Sequence, residues 1–453
     1  MSSHQQHVAY SSLALTCAFM AGILLTLGFK DLYPDLERRF RGELANSAFA
    51  LSRRSNWFFA GPVALEDHEA AVTKASGFKS TRNAGSPEEG TRILPGIVQG
   101  IEGCIGNTPL MRIKSLSEVT GREILAKVEF LNGAGNTPKD RVALSIIRAA
   151  EAEGLLRPGH RDVIFEGTVG STGISLATIA RARGYRAHIF MPDDIAHEKS
   201  DLLKRLGATV ERVPVQPITS PQHYVNLARS CAAALTASTD DEANGFFADQ
   251  FETSANYAAH LATTGPEIFL QTAGRLDAFV AGAGTGGTLA GIAQYLKLSA
   301  GMDKLKIVLA DPQGSGLYNK VLHGVMYSPT EKEGTRRRTQ VDSIVEGIGI
   351  NRITANFESG RDLIDDAVRV TDEQACKMAR WLVEHDGIFA GSSTAVNCTA
   401  AVVAAMKLPE GSRVVTIICD PGNRHLSKFW RIIGDMEPED PEADLFTSLG
   451  VAK

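Results

Sequence analysis

The chain has 453 residues, 43% hydrophobic and 22% charged, with a formal net charge of −5. That length supports one or two globular cores, and mild acidity without a basic stripe argues against a nucleic-acid-binding surface. The six cysteines (Cys17, Cys104, Cys231, Cys376, Cys398, Cys419) form no C-x-x-C pair and accompany no ligand-spaced histidines. A zinc site or disulfide framework is therefore not expected, and a reducing compartment is the default. Cys104, Cys398 and Cys419 lie in apolar stretches and read as small core residues.

In chain order, the first feature is an uncharged run of 22 residues from Val8 to Phe29. At about 1.5 Å per residue it reaches roughly 30 Å, the length of one membrane-spanning helix. The residues before it carry no Lys or Arg, and no small-x-small cleavage site is evident, which disfavours a secretory signal. It is neither amphipathic nor arginine-rich, as a matrix-targeting presequence would be. The positive flank follows the run (Lys30, Arg38, Arg39, Arg41), which places the body of the protein on the cytoplasmic side. Residues 1–29 are thus expected to be an anchor. Residues 30–93, with an aromatic cluster at Trp57, Phe58 and Phe59 and a polar run from Ser76 to Arg92, read as a linker or adaptor.

From Leu94 the chain alternates between apolar strand-like runs and helical patterns. Strands are predicted over Arg122–Glu129, Asp162–Glu166, Ala187–Pro192, Ala278–Gly282, Lys306–Asp311 and Val414–Asp420. Helices are predicted over Ile174–Arg183, Ala196–Leu206 and Leu289–Leu298. Continuous apolar strands joined by helices imply parallel sheets buried on both faces. Residues 94–440 exceed a usual single core, so an α/β fold with two lobes and a ligand between them is predicted, followed by a tail at 441–453. The basic run Arg336-Arg337-Arg338 sits in polar surroundings and reads as an exposed loop.

Four segments carry the chemistry. Asn136-Thr-Pro-Lys-Asp-Arg places Lys139 in the first turn of a helix whose apolar positions are Val142, Ile146 and Ala150, with Thr137 as a cap and Pro138 at the first helical position. The helix macrodipole there lowers the pKa of a lysine, which suits a free amine that must attack a carbonyl. Gly282-Ala-Gly-Thr-Gly-Gly-Thr-Leu follows a strand and opens a helix, the setting for a phosphate. Gly282, Gly284 and Gly287 also fit a dinucleotide fingerprint with Asp311 as the ribose acid, which would suggest an NAD-dependent oxidoreductase. The hydroxyls of Thr285 and Thr288, suited to a terminal phosphate, and the late position of the motif argue against that. Glu166-Gly-Thr-Val-Gly-Ser-Thr-Gly offers amides and hydroxyls to a carboxylate or phosphate, and Gly391-Ser-Ser precedes an apolar helix.

Together with Gly106-Asn-Thr-Pro-Leu, Asp249-Gln-Phe-Glu, Thr264-Gly-Pro-Glu, Glu346-Gly-Ile-Gly and Asp420-Pro-Gly-Asn-Arg, these segments resemble the cysteine synthase (O-acetylserine sulfhydrylase) and cystathionine β-synthase family of fold-type II pyridoxal-phosphate enzymes. The resemblance runs from about Ile101 to Lys428. The apolar amino terminus and the Val-Gly-Ser-Thr-Gly loop are most similar to the second, mitochondrion-associated fungal branch, which implies a mitochondrial outer membrane with the catalytic body facing the cytosol, and a homodimer.

The resemblance implies that Lys139 holds pyridoxal 5'-phosphate as a Schiff base and then removes the substrate α-proton. Gly284, Thr285, Gly286, Gly287 and Thr288 would cradle the cofactor phosphate, Ser393 would bond the pyridine nitrogen, and Ser171 would face the cofactor. Thr168, Gly170, Thr172 and Gln250 would grip the substrate carboxylate. O-acetylserine would lose acetate and sulfide would add to give cysteine. Cystathionine synthesis, a desulfhydrase or dehydratase reaction, and a weakly active ligand-binding scaffold at a membrane are the alternatives. The family loop reads Thr-Ser-Gly-Asn-Thr-Gly; here Val169 replaces the serine and Ser171 the asparagine. Each lost contact typically costs about 1–3 kcal/mol, which bears on the choice of substrate.

Overall fold

The structure is a computed structural model that describes residues 96–195, 197–238, 242–326, 343–437 and 444–451. The apolar run Val8–Phe29, the linker to residue 93 and the arginine run at 336–338 lie outside the described residues. Among the described residues, no helix is long and apolar enough to cross a membrane.

Two sheets organise the chain from Pro95 onward, which forms a compact unit. The smaller has four parallel strands in the order β5-β4-β3-β6: β3 Val163–Gly167, β4 Arg186–Pro192, β5 Thr209–Val213 and β6 Gly245–Phe247. The larger has the order β1-β2-β10-β7-β8-β9: β1 Leu110–Arg112, β2 Glu123–Val128, β7 Ala278–Gly282, β8 Lys306–Pro312, β9 Asp366–Val370 and β10 Arg413–Ile418. Only β1 runs antiparallel to its neighbour. The predicted α/β architecture with two lobes and parallel sheets is present. The small lobe is inserted between β2 and β7, so the chain leaves the large sheet and returns to complete it.

Alternation along the strands explains why each sheet is covered on both faces. In the small lobe, Ile164 and Ile189 pack with Val142, Ile146 and Ile147 of the helix Lys139–Ala152, whereas Val163, Phe165 and Phe190 pack with Ala228 and Ala232 of the helix Tyr224–Ala237. In the large lobe, Val280, Val308 and Val414 face the helix Ser392–Met406, whose small Ala and Val side chains let it lie flat on the sheet. Phe279, Ile307 and Val415 face the helix Gly287–Ala293. The helix Asp372–Asp386 starts in a capping box of Thr371 and Gln374 and stops at Gly387, whose φ of 66° suits glycine. Leu445, Phe446 and Leu449 of a short helix near the carboxyl end pack into this core.

A buried charge network joins the lobes. Arg141, two residues into the Lys139 helix, donates from Nε to Glu129 at 2.8 Å and from Nη1 to Glu267 at 2.6 Å. Lys127 of β2 reaches Glu267 at 2.6 Å, and Thr108 donates to Glu129 at 2.7 Å. Burial would raise the Glu129 carboxyl, but Arg141, Thr108 and Lys127 bring it down to about 2. Removing one partner of such a network strands the other charge away from water. Arg141→Met is therefore expected to lower the unfolding free energy by about 3–5 kcal/mol, measured by urea denaturation.

Candidate active site

The site lies where parallel strands end at their carboxyl edges. β3 runs into the Thr168–Thr172 loop, β7 into the Gly284–Thr288 loop, and β10 into Cys419 and Asp420. Asn397 joins the ends of two of these strands, accepting from Gly282 N at 2.8 Å and donating to Ile417 O at 2.9 Å.

Lys139 is the first residue of its helix. The expected Thr137 cap is not formed: Pro138 already has helical angles, and no side chain caps the helix start. The buried carboxylate of Asp140 instead organises the preceding turn, accepting from Gly135 N at 2.7 Å, Ala134 N at 3.2 Å and Ser175 Oγ at 2.6 Å. The Lys139 ammonium points toward Thr285 Oγ1, 3.5 Å away. Part of the lysine still meets solvent, yet burial brings its pKa down to about 8, against a weaker opposing influence of Cys419.

The Gly284–Thr288 loop is shaped by what lies behind it. A Cβ on Gly284 would collide with the Gly347 carbonyl, and one on Gly287 with Asn256 Oδ1. Gly286 has φ 86° and would meet Phe357 Cα at 2.5 Å. Backbone amides at the helix start and the hydroxyls of Thr285 and Thr288 are thereby gathered as in a phosphate cradle. Thr285 accepts from Asn256 Nδ2 at 2.9 Å, and Thr288 pairs with His260 Nε2 at 3.1 Å. His260 sits in a π turn, His260–Thr264, within the helical stretch from Ala255 to Gln271. Burial, then the charge of Lys139, lowers its pKa to about 3, so the imidazole is neutral at physiological pH.

In the second loop, Thr168 Oγ1 accepts from Gly170 N at 3.2 Å, and Thr172 Oγ1 donates to Gln250 Oε1 at 2.5 Å. Gln250 Nε2 donates to the buried Glu166 at 3.1 Å, which fixes its amide. Burial and then Asp249 push Glu166 up to about 8, against the donors of Gln250 and Gly167. Gly170 has φ 149°, within the range that favours glycine. Ser171 opens the helix Ser171–Ala182, and Val169 packs on the small-lobe core. Asn256 also donates to Gln250 O at 2.7 Å, so it links Thr285 to Gln250, the partner of Thr172.

Ser393 lies in the first turn of the Ser392–Met406 helix and bonds Cys419, whose thiol burial pushes up to about 12. Cys419 also accepts from Asn397 at 3.5 Å. It packs on the large-lobe core as expected and, through Ser393, also borders the site. Cys398 is buried as expected, whereas Cys104 is exposed, because the turn Ile101–Cys104 has no buried residue. Asp311 is fully buried and accepts Tyr318 N at 2.7 Å, so it is not presented to a ribose. Asn256 and His260 were not singled out from sequence, and Cys419 was read only as core; their roles arise from helices and strand ends meeting in space.

A largely buried lysine with its pKa lowered to about 8, beside a glycine loop, fits pyridoxal phosphate, which needs an amine for its aldehyde and amides for its phosphate. Residues 101–420 match the family described as pyridoxal-phosphate dependent enzyme. The chain belongs to that family. It is 64% identical to "Cysteine synthase 2" of Neurospora crassa over 98% of this chain and 97% of that one. It is 54% identical, over 75% of this chain and 86% of that one, to a Saccharomyces cerevisiae protein whose name contains the words mitochondrial cysteine synthase. Among solved structures, that of an O-ureido-L-serine synthase superposes with a TM-score of 0.64 at 32% identity, covering 76% of this chain and 98% of that one.

The Lys139 amine makes a pH signature. It titrates at about 8 in the native protein and at 10.5 when unshifted, so between these values the unfolded chain binds a proton that the native one has released. Stability of the cofactor-free protein should rise with pH across that window. Lys139→Met should remove this part of the rise, and should stabilise the cofactor-free protein below pH 8 in thermal denaturation.

Proposed function

We propose that the chain is a pyridoxal-phosphate-dependent cysteine synthase that replaces the acetate of O-acetyl-L-serine with sulfide. The observation that supports this most directly is the meeting of Lys139 with the phosphate-type loop at Thr285, beside a second loop of amides and hydroxyls. Pyridoxal phosphate supplies the electron-withdrawing ring that makes the α-proton of an amino acid removable. Lys139 would hold the cofactor through its amine and would accept that proton; a pKa of about 8 suits both tasks. Gly284, Thr285, Gly286, Gly287 and Thr288 would hold the phosphate, and Ser393 would bond the ring nitrogen.

Thr168, Gly170, Thr172 and Gln250 bind the substrate carboxylate and aim the Cα–H bond at Lys139. A hydroxyl at Ser393, unlike a carboxylate, would leave the ring nitrogen largely unprotonated. That favours loss of a β leaving group over racemisation or transamination. Acetate departs with its bonding electrons, hydrosulfide forms the new C–S bond, and Lys139 returns the proton to Cα. Ser171, shorter than the asparagine of the resemblance, would face the cofactor from the start of its helix.

Purified protein given O-acetylserine and sulfide should release cysteine and acetate. Borohydride reduction followed by peptide mapping should label Lys139, and Lys139→Ala should lose roughly 10²–10⁴-fold in turnover. Absence of cysteine would reject the substrate assignment, and a label elsewhere would reject the role of Lys139.

For location we propose the mitochondrion, with residues 1–29 anchoring the chain in the outer membrane, the body facing the cytosol and two copies forming a dimer. The name of the yeast relative supports the organelle, and the uncharged run Val8–Phe29 with its following basic flank supports the anchor. A reporter fused to residues 1–45 should fractionate with mitochondrial outer membrane. The body of the full chain should be cleaved when protease is added to intact mitochondria.

A further inference from the structure

The Thr168–Thr172 loop is roofed by a side chain that neither loop supplies. Lys199 lies in the helix His197–Arg205 of the small lobe. Its stem passes so close to Gly170 that a Cβ there would meet Lys199 Cδ at 3.0 Å. Its ammonium pairs with the carboxylate of Glu346, which belongs to the large lobe. The two side chains are only 11% and 13% exposed. Glu346 is held from behind, since its backbone N–H donates to Ser392 Oγ at 3.0 Å, one residue before Ser393. Lys428 Nζ lies 3.6 Å and His425 Nδ1 3.9 Å from the same carboxylate. Burial alone would raise the Glu346 carboxyl, and Lys199, His425 and Lys428 hold it below the usual range. A second tie lies alongside, from Ser427 of the large lobe to Glu198.

The same lysine therefore touches one half of the site with its methylenes and the other half with its charge. An exposed ion pair would contribute little, but a largely dehydrated one resists separation because either charge left alone is costly. We propose that Lys199 and Glu346 form a latch between the lobes that holds the Thr168–Thr172 loop in its binding shape, making Lys199 a positioning residue for the amino-acid substrate. This rests on the assignment of that loop to the substrate carboxylate. The latch acts on how firmly the amino acid is held, not on the chemistry at Lys139, so it belongs to KM more than to kcat.

The test is a double-mutant cycle in the cofactor-loaded enzyme, with Lys199→Met, which keeps the stem, Glu346→Gln, and both together. Amide hydrogen exchange of peptides spanning 168–175 and 197–205 should rise about fivefold in each single variant, and the double should match the singles instead of adding to them. KM for O-acetylserine should rise about fivefold while kcat changes less than about twofold. Lys199→Arg, which keeps the charge, should restore both values. Unchanged loop exchange, additive effects, or a lower melting temperature with KM intact would overturn the latch. Coupled exchange effects in a protein that does not turn over O-acetylserine would support the latch and reject the proposed reaction, so the two failures are distinguishable.

Discussion

Charges without water around them must be paired, and Lys127, Glu129, Arg141 and Glu267 meet that demand by pairing between the lobes. Arg141 follows Lys139 by two residues on the same helix, so the pairing that holds the guanidinium also fixes where the amine points. Thr108 completes the set from the segment before β1. Apolar packing alone could accept a small rotation of this helix. A guanidinium bonded to two carboxylates cannot rotate without breaking several hydrogen bonds at once.

The electrostatic character of the site follows from burial more than from neighbouring cations. Lys139 reaches a pKa near 8, His260 stays neutral, and the thiol of Cys419 stays protonated. The lysine is therefore surrounded by uncharged hydroxyl, thiol and imidazole groups. This arrangement suits an amine that alternates between covalent attachment and proton transfer, because no fixed carboxylate competes for its proton. Glycine does the complementary work. At Gly284 and Gly287 a methyl group would occupy space already taken by Gly347 and Asn256.

Much of this was readable from residue order. Strands β2, β3, β4, β7, β8 and β10 stood out as apolar runs, because strands buried on both faces need no polar alternation. The short strands β1 and β6 have three residues each, too few to leave a pattern. The prominence of Lys139 was legible from the helix start, but the cause of its low pKa was not. Helix position suggested the macrodipole, whereas the structure supplies burial, a property of neighbours distant in sequence. Asn256 and His260 were invisible for a similar reason. Their significance depends on a π turn and on a second helix lying against it, and neither leaves a mark in composition. Cys419 followed an apolar run and looked like core; one step beyond the strand end was enough to bring it to Ser393.

Insertion of the small lobe between β2 and β7 has a consequence for biogenesis. Strands β3 to β6 lie between Val163 and Phe247, so that sheet can assemble while the rest of the protein is still being translated. Strand β2 must wait, since its Glu123 is matched with Arg413, 290 positions downstream. Until β10 leaves the ribosome, an apolar strand edge stays open, and such edges invite chaperones or aggregation. Maturation of the larger lobe is thus timed by the arrival of its last strand, which also delivers Cys419 and the residues that close the site.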